Sequence, residues 1–215
     1  MSEVEHAVKK LKNNKGVGID GIPGELLKNG GQELTKKMYE ICNWIWTNED
    51  IPRTWTKSVI ITIPKKGDIQ DCSNYRTISL ISHSSKILLL IILNRLRAQL
   101  HCHLSEEQAG FRANRNTIQQ ILTLRLVAEK FRDVNQPVYN CFIDFWKAFD
   151  SVWHDGLWVL YEKAESAVLV DGSLSRWIKM TDGNRQGDPI SPNAFIGLVE
   201  RIMDGVSEME DKGVV

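Results

Sequence analysis

The chain has 215 residues, 42 % hydrophobic and 25 % charged, an ordinary globular composition that supports a real core and excludes a disordered or fibrous chain. Lysine plus arginine and aspartate plus glutamate balance at 27 each, so no global basic charge marks it as a nucleic-acid binder. The longest apolar run, Ile87 to Leu93, is too short to span a bilayer, and the N-terminal MSEVEHAVKKLKNN lacks the apolar core of a secretory signal, so an intracellular protein is expected.

Val4, Ala7, Val8 and Leu11 fall at helical spacing, and the pattern stops at Asn13-Asn14-Lys15-Gly16. The following GVGIDGIP is glycine-rich but lacks the order of a phosphate cradle and follows no strand, so it reads as a turn. Pro23 then opens a short helix to about Asn29, and a longer one runs through Trp46. KSVIITI, from Lys57 to Ile63, is β-branched and predicts a strand ending in the basic turn PKKGD. A polar loop, DCSNYR, leads to a helix from about Ser84 to Leu100. The break SEEQAGFRANRN precedes an amphipathic helix through Phe131. Val138 to Ile143 predicts a second strand with Asp144 at its end. A helix follows Trp153 to about Ala164, then a hairpin from Ala167 to Met180 around DGS, the loop DGNRQGDPISP, and a helix from Asn193 to about Met209.

The charge balance hides an asymmetry: from Lys57 to Arg132 twelve basic residues stand against five acidic ones, a candidate polyanion surface, although a solvated exterior reads the same way. Four cysteines, at 42, 72, 102 and 141, form no CxxC pair, as in a reducing compartment. His101, Cys102 and His103 are adjacent on a helix and face different ways, a poor zinc chelate. FIDFWKAFD, from Phe142 to Asp150, is the most chemical stretch. An aspartate after two apolar residues at a strand end reads as a metal-holding carboxylate, with a cap of the next turn as the alternative. Mg²⁺ demands near-octahedral oxygen coordination and usually more than one acidic ligand, so Asp144 needs a partner.

PKKGD, NYRTISL, QAGFR, FIDFWKAFD and GNRQGDPISP, in this order and preceded by KNNKGVGIDGIPGELLKNGG, resemble the reverse transcriptase domain of non-LTR (LINE-type) retrotransposons over nearly the whole chain. The resemblance implies an α+β fold, the fingers and incomplete palm of a right-hand polymerase, with residues 1–56 as an N-terminal helical extension and 57–215 as fingers and palm. It implies that Asp144 is catalytic and binds Mg²⁺, because two such ions clamp the oxygens of an in-line phosphoryl displacement. It matches Lys65, Lys66 and Arg76 to the positions that hold the incoming triphosphate, and Phe149 to the bulky residue over its sugar; an ordinary core aromatic is the alternative for Phe149. Gln186 and Gly187 match the loop lining nucleotide and template. Phe111 and Arg112 match an element meeting the template, against the alternative of a core aromatic at a helix start. RNA template and DNA primer are the implied partners.

Three departures temper this. The family's Tyr-Ala-Asp-Asp hairpin is expected where this chain reads DKGVV, and no Asp-Asp pair occurs in the 215 residues. Roughly fifteen to twenty residues, some four to five helical turns, are expected to be missing after Leu160. Thr77 stands in NYRTISL where the family has proline, which is expected to loosen a loop there by releasing φ. The expectation is therefore a retrotransposon-derived reverse transcriptase fragment, inactive alone. A non-catalytic RNA or RNA–DNA hybrid binder, or a remnant without function, is the alternative.

Overall fold

A computed structural model describes residues 1–145, 148, 161–181, 183 and 185–211, the last six of these as backbone only. Two compact units emerge, Met1–Arg97 with Phe149–Ser191, and Ala98–Ala148 with Pro192–Val215.

In the first unit, Val4, Ala7 and Val8 recur every three to four residues and form the buried face of α1 (Ser2–Lys10), whose Glu3 and Glu5 at the start and Lys9 and Lys10 at the end suit the helix dipole. Pro23 is the extended N-cap of α2 (Gly24–Asn29), one position earlier than expected. A longer helix, α3 (Gly31–Asn48), ends at Glu49 in a left-handed conformation. The continuous apolar run of the sequence becomes α4 (His83–Leu100), buried on most sides. Leu11, Leu27, Met38, Cys42, Ile45, Trp55, Ile87, Leu88 and Ile91 join the α1 face in one apolar core. Burial there pushes the Cys42 thiol up to about 11.

The sheet belongs to the same unit. KSVIITI forms β1 (Lys57–Pro64) as expected. NYRTISL is not a loop: it forms β2 (Tyr75–Ile81), antiparallel to β1 with Thr77 opposite Thr62. A Thr at 77 therefore loosens no loop; it sits in a ladder, where β-branching is favourable. On the other side of β1 lies β3 (Glu165–Val170), parallel to it, and the Ser58 and Ser166 hydroxyls meet across the pair at 2.7 Å. The expected hairpin is present with β3 and β5 (Ile178–Lys179) as its antiparallel arms, Ser166 opposite Ile178, and β4 (Ser173–Leu174), after the Asp171-Gly172 turn, also runs antiparallel to β3.

The second unit contains α5 (Thr117–Asp133), closed at its N-terminus by a capping box between Asn116 and Gln119, and all but the first residue of α6 (Ser191–Asp211). The expected helix over α5 is correct, yet it buries no residue. The expected strand from Val138 to Ile143 is absent: these residues pair with no other strand among the described residues, and Tyr139, Phe142 and Ile143 are exposed. β-propensity alone does not hold a strand without a neighbour to complete its hydrogen bonds. Phe149, and the expected helix from Trp153 as far as Leu160, lie outside the described residues. No helix among those described is long and apolar enough to cross a membrane.

Candidate functional site

The basic turn after β1 is a folded loop. Lys65 N–H donates to the Asn74 carbonyl at 2.6 Å, continuing the β1–β2 ladder, and Asn74 Nδ2 returns a bond to the Asp68 carbonyl at 2.9 Å. Asp68 and Asp71 accept from the backbone N–H groups of Gln70 and Ser73, both at 2.8 Å, which are Asx turns that hold the chain between them. Lys65 Nζ spends one donor on the Ser73 carbonyl at 3.2 Å. Lys66 and Arg76 are exposed, and no ion pair engages them among the described residues. Because Ile63 pairs with Arg76, the three expected phosphate-holding cations sit at one end of one hairpin.

Gln186 and Gly187 reach the same strand by a different route. As the outer strand of the sheet, β2 would leave unpaired backbone groups at its edge. The Ser79 N–H instead donates to the Gln186 carbonyl at 2.7 Å. Gly187 follows with φ +115°, and a Cβ there would stand 2.9 Å from the Ser79 carbonyl oxygen. Only glycine permits this approach. Ser79 lies three residues from Arg76, about 10 Å along the strand.

What fixes this turn is a buried polar cluster that the sequence reading missed. Asp188, almost wholly buried, accepts from the Ile190 N–H at 2.9 Å and from the Tyr161 hydroxyl at 3.1 Å. The Arg185 carbonyl accepts from the Asp188 N–H at 2.9 Å and from Ser191 Oγ at 3.2 Å. The Arg185 guanidinium donates to the Trp55 carbonyl at 3.3 Å and lies 5.0 Å from the centre of the Tyr161 ring. Burial holds the Asp188 carboxyl above the usual carboxylate range and the Tyr161 phenol above the usual tyrosine value. The available signal was an arginine and an aspartate flanking Gln-Gly beside the apolar Pro189 and Ile190.

The remaining expected residues belong to the second unit. Asp144 is exposed, while its neighbour Phe145 packs edge-on against Phe195 with centroids 6.2 Å apart. Phe111 takes a left-handed φ of 54° in the loop before α5 and is 58 % exposed, so it is neither a helix start nor a core aromatic. Arg112 turns inward: its side chain is 6 % exposed, and it donates to the Ser105 carbonyl at 2.5 Å beside Glu106, which also pairs with Arg115. Ser105 N–H donates in turn to the buried Glu200 carboxylate at 2.6 Å. Arg112 thus closes its own loop.

The Mg²⁺ implied for Asp144 requires several oxygen ligands. Among the described residues no group of three or more His, Cys, Asp or Glu side chains gathers, so the described donor set does not fit the ion.

Comparison with known proteins bears on this arrangement as a whole. The family model of reverse transcriptase (RNA-dependent DNA polymerase) matches residues 63–214. The chain is 32 % identical over 160 residues to a probable RNA-directed DNA polymerase from transposon BS of Drosophila melanogaster, covering 73 % of this chain and 18 % of that one. It is 29 % identical to the RNA-directed DNA polymerase from mobile element jockey of the same species, over 91 % of this chain and 23 % of the relative. To the Pol polyprotein of the type-1 retrotransposable element R2 of Popillia japonica it is 26 % identical, over 71 % and 24 %. The chain therefore spans no more than a quarter of these relatives.

Proposed function

The chain belongs to the reverse transcriptase (RNA-dependent DNA polymerase) family, and from that premise we propose that its first unit carries the nucleotide-facing fingers surface of a retrotransposon RNA-directed DNA polymerase. The observation that supports this most is the docking of the Gln186–Gly187 turn on the β2 edge, a short distance along the strand from Arg76. On this reading Lys65, Lys66 and Arg76 hold the triphosphate of the incoming nucleotide, where fixed cations offset the charge that grows in the transition state. The Gly187 backbone, free of a side chain, lies against base or template. Phe149 covers the sugar, and Phe111, rather than the inward-turned Arg112, meets the template.

Asp144 supplies one carboxylate of the family's metal site. Its further ligands are not among the described residues, so the reading is of a segment that binds the polymerase's substrates and does not by itself extend a primer. A purified chain is expected to bind single-stranded RNA with a salt-dependent affinity that Lys65→Ala/Lys66→Ala/Arg76→Ala weakens, and to leave a DNA primer on an RNA template unextended with Mg²⁺ or Mn²⁺. Salt-insensitive binding untouched by that triple substitution overturns the fingers assignment. Extension that disappears in Asp144→Ala overturns the inactivity.

A further inference from the structure

We propose that a cleft between the end of α1, the loop after it and α4 is a second phosphate-binding site, which seats the sugar–phosphate backbone of a nucleic-acid strand rather than the incoming nucleotide. This rests on the nucleic-acid reading above but concerns other residues. The cleft has a volume of about 520 Å³, and Lys10, Lys12, Lys15, Lys86 and Arg97 line it, with no carboxylate in its lining among the described residues. None of the five is in an ion pair among the described residues; Lys10 makes only a long bond to Asn94 Oδ1 at 3.5 Å. Like charges gathered this way repel, with the buried Asp188 offsetting only part of it at Lys86, and a bound polyanion relieves that repulsion.

The cations stand on fixed backbone. Gly18 lies so close to the junction of β2 and α4 that a Cβ would come within 2.5 Å of the Ser82 nitrogen. Ser82 Oγ donates to Asp20 at 2.5 Å, and Lys28 Nζ reaches the Leu11 carbonyl at 3.1 Å and Asn13 Oδ1 at 2.7 Å. The loop bearing Lys12 and Lys15 is thus pinned at both ends, so ordering it on binding costs little. His83 supplies an independent sign. It is among the residues lining the cleft, it is 2 % exposed, and its Nδ1 has no hydrogen-bond partner among the described residues. A buried polar atom in that state calls for a partner, and a ligand in the cleft is one that could supply it. Burial, aided by the Lys86 charge, lowers the His83 pKa, and a hydrogen bond to the Ile22 backbone works against it. Burial likewise lowers the Lys86 pKa, and Lys15 adds to the effect while Asp188 opposes both.

The shape favours a strand. Lys86 and Arg97 lie eleven residues apart, about 16 Å along the helix, more than one triphosphate occupies. No Phe, Tyr or Trp is among the described residues lining the cleft, and His83 is buried, so recognition falls on phosphates. Gly187 and Pro189 form part of the wall, which makes the cleft continuous with the proposed nucleotide-facing turn.

The test uses the full chain and a labelled single-stranded RNA of mixed sequence, with affinity followed by anisotropy from 50 to 200 mM salt. Each phosphate neutralised on a single strand contributes about −0.7 to the slope of log K against log salt, so Lys12→Ala/Lys15→Ala/Arg97→Ala is expected to flatten the slope by about 2. That corresponds to roughly 18-fold of salt sensitivity lost across this range. The charge-keeping Lys12→Arg/Lys15→Arg/Arg97→Lys is expected to retain the slope. A second measurement needs no variant: bound RNA is expected to protect Lys12 and Lys15 of the unmodified chain from acylation, read by mass spectrometry. Absence of that protection overturns the proposal even if the alanine variant fails to fold. So does tripolyphosphate protecting the two lysines where RNA does not, which assigns the cleft to a free polyphosphate. If only the Lys65/Lys66/Arg76 substitution weakens RNA binding, the cleft is excluded and the fingers reading stands. If neither set alters it, both fall.

Discussion

Removing the Asp188 carboxylate in two ways separates its hydrogen bonding from its charge. Asp188→Ala leaves the buried Ile190 N–H without its acceptor and takes from the Tyr161 hydroxyl the oxygen it donates to. An orphaned buried donor costs about 1–3 kcal/mol and a lost bond about 1, so the alanine variant is expected to lose about 2–4 kcal/mol. Asp188→Asn keeps an oxygen for Ile190 and turns an amide toward Tyr161, whose hydroxyl also accepts, and below pH 3.8, where the parent carboxyl is neutral, it is expected to stay within about 1 kcal/mol of the parent. Urea unfolding followed by tryptophan fluorescence measures both. A titration adds a signed check. Because burial raises the folded Asp188 pKa above its unfolded value near 3.8, its contribution to stability is whole below pH 3.8 and is lost as pH rises through the folded value. The stability of Asp188→Asn relative to the parent is therefore expected to climb over that rise. A cycle with Tyr161→Phe is expected to give a coupling above about 0.5 kcal/mol. If alanine costs no more than asparagine, and the difference between parent and Asn variant is flat with pH, the cluster does not hold the turn.

Gly187→Ala is expected to lose about 1–3 kcal/mol, since it combines a φ of +115° with a Cβ 2.9 Å from the Ser79 oxygen; an unchanged urea midpoint would sink the account of the β2 edge. On α5, Ile118→Lys with Ile121→Lys replaces side chains that are 74 % and 64 % exposed, so stability is expected to move by less than about 0.5 kcal/mol per site while binding of an apolar dye drops. A loss of several kcal/mol would mean that this face is packed in solution.

The elements legible in the sequence were those whose signal is carried by their own residues. Val4, Ala7 and Val8 announce α1, the run from Ile87 to Leu93 announces α4, and Lys57 to Ile63 announces β1, because periodicity and β-branching are local signals. β2 was missed because its exposed Arg76 and half-buried Thr77 blur the alternation, and because the ten-residue excursion from Lys65 to Asn74 gives no hairpin signature. Val138 to Ile143 failed in the opposite sense: strand-like residues, with no strand beside them among the described residues. For α5 the period was right and the burial was not, since amphipathicity says which face can be covered, not what covers it. At the candidate site, the cations at 65, 66 and 76 and the Gln-Gly turn were singled out by motif order. The bond that joins them is backbone to backbone, which leaves no mark in side-chain identity. The buried Asp188 looked like any loop aspartate until Tyr161, 27 residues away, was beside it.

The parallel pairing of β1 with β3 also constrains how the chain is made. Ser58 meets Ser166 across 108 residues, so when β1 leaves the ribosome its neighbour has not been synthesised. At about 5–20 residues per second the wait is about 5–20 s, far longer than the microseconds in which the β1–β2 hairpin can close. During that interval β1 presents an open, β-branched edge with Ile60 and Ile61 at its centre, the kind of edge that recruits strands from other nascent chains. Slowed elongation is therefore expected to favour aggregation over folding, and a chaperone that covers that edge to oppose it.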